Sequence, residues 1–178
     1  SAVPEINGLV PARDDSAIVF GRLKDVNPTP TYRSFVQRIL ADGTQAWTPH
    51  VEFGEPGRAV TIAGGTAAPD GGALLFGRST NLTTQEAKLW LAHVSPAGVV
   101  TRSATHPYGD EESVLVAGAY SPISPFGDPS GVLYILRTLQ TCADPSVENI
   151  LKCPKVLRKP VIDLIDAESL TVITRLQG

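Results

Sequence analysis

A six-residue pattern recurs along this chain and constrains its fold more than any other feature. Ala17-Ile18-Val19-Phe20-Gly21-Arg22 is matched by Ala73-Leu74-Leu75-Phe76-Gly77-Arg78, and more loosely by Val132-Leu133-Tyr134-Ile135-Leu136-Arg137. A second apolar run follows each copy and ends in turn residues. These runs are Phe35 to Leu40 before Ala41-Asp42-Gly43, Leu89 to Val94 before Ser95-Pro96-Ala97-Gly98, and Val161 to Ile165 before Asp166-Ala167-Glu168-Ser169. Short apolar runs bounded in this way read as strands joined by tight hairpins. A further run follows each turn, at Gln45 to Phe53, Val99 to His106 and Leu170 to Leu176. Another precedes each copy, at Ile6 to Val10, Ala59 to Ala63 and Val114 to Ala119. The pattern predicts an all-β chain that forms one domain over 1–178, with units near 5–54, 58–107 and 113–178.

No helical periodicity interrupts these runs, which leaves sandwiches, barrels and propellers as the candidate architectures. The runs are nearly continuous in apolar residues, as expected for sheets covered on both faces. Four-stranded units of about 40 to 50 residues, each needing a neighbour to cover its apolar face, are the mark of radial stacking. On these grounds the chain resembles the β-propeller repeat superfamily over almost its whole length. Neither the Gly-Gly, Tyr and Trp set of kelch units nor the Gly-His and Trp-Asp signatures of WD40 units occurs at matching spacing. The resemblance therefore implies an architecture and carries over no functional residues. It implies three four-stranded antiparallel blades in an open arc, or half of a six-bladed dimeric propeller. Propellers close with about four to eight blades, so three leave two apolar faces in need of cover.

The 42% hydrophobic and 19% charged content excludes the unfolded, highly charged class. A net charge of −3 gives no footprint for nucleic acid, whose binding rests on phosphate neutralisation. No apolar run reaches the roughly 18 residues of a spanning helix. The chain lacks Met and starts at Ser1-Ala2-Val3, which predicts a mature form that follows a removed leader. Cys142 and Cys153 flank a polar segment rich in turn residues and allow one intramolecular pairing. A bond closing so small a ring contributes about 3 kcal/mol in the chain-entropy model and implies an oxidising, secreted or periplasmic compartment.

Calling the strands of each unit a to d, the b–c and d–a connections emerge on one face and hold the longest loops, where binding residues concentrate. An Arg closes strand b in each copy, at Arg22, Arg78 and Arg137, so repetition predicts three guanidiniums able to grip anionic groups. The d–a loop around Tyr108, Asp110, Glu111 and Glu112 mixes an aromatic with acids on that face, a composition suited to a protein interface. Lys152, Lys155, Arg158 and Lys159 read as a solvated basic run.

His50, His93 and His106 lack the spacing of a zinc site, and Asp14-Asp15 lacks the alternating oxygens of a calcium loop, so neither metal nor cofactor is expected. The first functional reading is a non-catalytic interaction protein with a protein partner, of which an inhibitor or immunity factor is one form, or with a second copy as a homodimer. A carbohydrate-binding module is the alternative, although Trp47 and Trp90 fall on different strands of their units. A hydrolase on the central face, for example a Ser with His106 and Asp110, is the third.

Overall fold

The computed structural model describes residues 3–12, 14–25, 31–54, 56–108, 112–121, 131–144, 146 and 153–177. Among the described residues there are twelve strands, one in each expected run, although the Gln45 to Phe53 run forms a strand only over Val51–Phe53, and no helix occurs. The first sheet holds β1 (Val3–Pro11), β2 (Ala17–Asp25), β3 (Thr31–Ile39) and β4 (Val51–Phe53). The second holds β5 (Arg58–Ala67), β6 (Ala73–Asn81), β7 (Ala87–Val94) and β8 (Val100–Pro107). The third holds β9 (Glu112–Ser121), β10 (Val132–Cys142), β11 (Val156–Asp166) and β12 (Val172–Gln177). Each sheet is an antiparallel meander in chain order, and none closes on itself. The result is the expected all-β set of blades in an open arc.

Turn residues take the backbone forms their positions demand. Gly43 (φ 83°) and Gly98 (φ 77°) close the c–d turns by donating to the carbonyls of Leu40 and Ser95, each at 2.9 Å. Positive φ suits glycine because it has no Cβ to clash. Leu170 (φ 58°) adopts the same region in the third c–d turn and donates to Asp166 at 2.9 Å.

All three sheets share a bulge between strands a and b. It falls where Gly21 faces Ile6 and Phe20 faces Gly8, where Gly77 faces Ile62 and Phe76 faces Gly64, and where Arg137 faces Leu115 and Leu136 faces Ala117. A Cβ on Gly8 or Gly64 would collide with the ring tip of Phe20 or Phe76, and one on Gly21 or Gly77 with the carbonyl oxygen of Glu5 or Thr61. The bulge corrects the third copy by one residue. Arg137 stands with Gly21 and Gly77, while Thr138 stands with Arg22 and Arg78. A one-residue slip in a strand reverses which face a side chain meets.

Side-chain alternation then builds two cores. Ile18, Phe20 and Val36 of the first sheet meet Val60, Ile62, Leu75 and Trp90 of the second. From the opposite side of the second sheet, Leu74, Phe76, Leu89 and Leu91 meet Leu133, Ile135 and Ile165 of the third. The second sheet is thus covered on both faces, with Ala73 to Phe76 all buried. Phe20 and Phe76 occupy equivalent buried places, as the pattern predicts. Ser34 ties the first joint by donating to the Val60 carbonyl at 2.5 Å, and the Trp47 indole donates to Pro96 at 2.9 Å.

Candidate functional site

The three arginines separate. Arg22 is half-exposed and pairs with Glu5, its cross-strand neighbour, at 3.5 Å. Arg78 is half-buried at the equivalent place on the second sheet. Arg137 lies on the opposite face of its strand, fully buried between the second and third sheets. There Arg137 Nε donates to Asp163 Oδ2 at 2.6 Å, and Arg175 Nε donates to Asp163 Oδ1 at 2.6 Å. Asp163 is likewise inaccessible, whereas Arg175 reaches partly to solvent. No ring of three equivalent guanidiniums forms, because the strand register turns Arg137 inward. Its charge is spent on a buried carboxylate.

Tyr108 is also internal. It packs in the second core, and the Arg137 guanidinium carbon lies 5.5 Å from its ring centre, a cation–π arrangement. Its hydroxyl makes no hydrogen bond among the described residues. Burial pushes its phenol up to about 12, against the opposing pull of the nearby Arg78 and Arg137 charges. Asp110 and Glu111 lie outside the described residues, and Glu112 opens β9 opposite Gln140. The loop next to Tyr108 therefore begins on a core residue rather than on an exposed aromatic.

A test of this placement is chemical. Replacing Tyr108 by Phe removes only a hydroxyl without a partner, so stability should hold or rise, whereas losing a bonded buried hydroxyl would cost about 1 kcal/mol. The phenol's folded value stands above its ordinary 10.0. Its contribution to stability is therefore fully present below pH 10 and is lost as pH rises through about 12, by an amount on the order of 2–3 kcal/mol. Alkaline denaturation curves of wild type and Tyr108→Phe should diverge in that window. Coincident curves would place the ring in solvent.

Cys142 and Cys153 are bonded, with Cα atoms 5.6 Å apart, and they staple the b–c connection at the end of β10. Lys155, Arg158 and Lys159 are exposed beside it, and Lys152 lies outside the described residues. The histidines serve three separate places. His50 pairs with Glu52 at 3.0 Å, His93 bridges Thr101 and Asp70, and His106 donates to the Leu170 carbonyl at 2.7 Å. Among the described residues, no three His, Cys, Asp or Glu side chains gather as metal ligands would. Trp47 and Trp90 are both buried in the first core, where neither offers a ring to a sugar.

An open groove of about 580 Å³ lies on the outer face of the first sheet. Its floor is apolar: Ile6 is 69% exposed and Val19 and Ile39 are half-buried, while Leu23 and Phe35 are buried at its base. Arg33, His50 and Glu52 form a polar rim, linked by an Arg33–Glu52 ion pair and the His50–Glu52 contact. Gln37 also lines the groove. Its amide nitrogen donates to the Trp47 carbonyl at 2.8 Å, while its buried Oε1 accepts nothing among the described residues. The sequence carried a general signal for this face, namely three apolar units whose open arc leaves two faces in need of cover. The individual residues emerge only once the register is known. No helix among the described residues is long and apolar enough to cross a membrane. No protein-family model, characterised protein or solved structure matches this chain.

Proposed function

We propose that the chain is a non-catalytic recognition protein that binds another protein through the open outer face of its first sheet. The observation that carries this reading is the groove itself. An apolar floor that reaches the surface at Pro4, Ile6, Val19 and Ile39, ringed by charged and polar groups, has the anatomy of a protein interface. The loop face is the weaker candidate, because Tyr108 and Arg137 are committed to the interior. The four-stranded units are read as propeller-type blades, whose stacking leaves end faces open. The Cys142–Cys153 bond supports a secreted or periplasmic setting, where disulfides persist. An inhibitor or immunity factor, acting by occupying a partner, is one form this function takes.

A photo-crosslinking side chain placed at position 6, in the host that makes the protein, tests the reading. An adduct with a protein should form from position 6 and not from exposed Glu168, which lies in the third c–d turn. Failure to form any protein adduct from position 6 would refute it.

A further inference from the structure

The groove is, position for position, the face by which the second sheet docks onto the first. The shared bulge and strand pairings align Pro4, Ile6 and Val19 with Val60, Ile62 and Leu75, and align Phe35, Gln37 and Ile39 with Trp90, Ala92 and Val94. All six of the latter residues sit in the core between the first two sheets. All six of the former line the groove. What covers this face one unit along the chain is the opposite face of a neighbouring sheet.

That opposite face recurs too. Ile18, Phe20, Val36 and Val51 of the first sheet pack against the second, and Leu74, Phe76, Leu91 and Ala104 of the second pack against the third. Their equivalents in the third sheet are Tyr134, Leu136, Ile162 and Leu176. Here nothing covers them fully. Ile162 is 36% exposed and Leu176 53% exposed, while Tyr134 and Leu136 are half-buried. One chain thus ends in two faces of the kinds that join inside it.

We propose that two copies of this chain associate head to tail, the outer face of each third sheet seating in the groove of the other copy's first sheet, to give a closed ring of six sheets. The proposal rests on the reading of the groove as a protein-binding face and names its occupant. Radially stacked blades close at about four to eight, and six is the one multiple of three in that range. Two identical joints related by a two-fold axis then bury both end faces, and closure stops growth that an open head-to-tail contact would continue as a filament.

Light scattering on a sizing column, together with sedimentation, reads the result. The wild-type chain should show twice the 18.8 kDa of one copy. Ile6→Arg and Leu176→Glu change side chains that are exposed in a single chain, so both variants should melt like a lone folded copy. Each spoils one side of both joints, and each should raise the dissociation constant at least ~100-fold by burying an unpaired charge. Mixed together, the two variants should regain a heterodimer, because one joint between them carries neither change. A wild-type chain that stays monomeric at about 0.1 mM, where an interface of standard size is filled, would overturn the proposal. So would a dimer that Leu176→Glu leaves intact, or assembly that grows beyond two copies. An adduct from position 6 to a different protein, with the chain itself monomeric, would overturn the second copy as occupant and leave protein recognition standing.

Discussion

Replacing Asp163 by Ala is expected to cost about 3–5 kcal/mol, because it breaks the buried Arg137–Asp163 ion pair. Neither Arg137 nor Asp163 exposes any side-chain surface. Asp163 accepts from Arg137 on one oxygen and from Arg175 on the other. Removing the carboxylate therefore takes an ion-pair partner from one buried cation and from one partly exposed one. A combined Arg137→Met and Asp163→Leu variant should recover most of the loss, since exchanging a buried pair for apolar groups of similar volume is often neutral or stabilising. Urea melts of the two single variants and the double variant form a cycle that measures the coupling. A loss near 1 kcal/mol for Asp163→Ala would mean that the pair is wet, and the inward placement of Arg137 would be wrong.

Phe76→Ala should cost about 3–5 kcal/mol, the usual range for emptying a core Phe site. For a chain of this length that lowers the melting temperature by about 6–20 °C. The ring lies over Gly64, on the face of the second sheet that meets the third. Backbone fills the space on one side of it and apolar side chains the other, so the cavity has little freedom to collapse. Phe20→Ala should behave alike, with Gly8 in the place of Gly64. A near-neutral effect at both sites would undo the equivalence of the first two sheets, and with it the head-to-tail argument.

Much of this fold was legible in the sequence, because strand ends are marked by local chemistry. The c–d turns at Asp42-Gly43 and Ala97-Gly98 announce themselves, and the strands on either side follow. The third copy slipped by one because its anchor is absent. Gly21 and Gly77 mark the bulge in the first two copies, whereas Arg137 occupies that place in the third, so apolar matching alone drew Arg137 level with Arg22 and Arg78. A usable signal lay on the neighbouring strand, where Ile6 and Gly8, Ile62 and Gly64, and Leu115 and Ala117 keep a constant spacing. A second was the charge pattern: Asp163 interrupts an otherwise apolar run, and a carboxylate there implies a buried cation opposite. Tyr108 was misplaced for a different reason. Its sequence neighbours are polar, but its burial is decided by the third sheet, which no local pattern reveals. The groove's composition was in plain sight, while its openness depends on which sheet lacks a neighbour.

The meander order has a consequence for how the chain is made. Every strand pairs only with strands beside it in sequence, so all backbone partners of the first sheet are present once Phe53 has been synthesised. Its apolar cover is not, because Val60, Ile62 and Trp90 follow later. Hydrogen bonding is completed within a unit, whereas side-chain burial waits for the next one. A nascent first sheet therefore leaves the ribosome without the cover that the second sheet later supplies, and each later sheet rescues the one before it. Stability gained in such nearest-neighbour steps makes the middle sheet the most protected part of the chain, and the two outer sheets the places where unfolding, and aggregation during synthesis, begin.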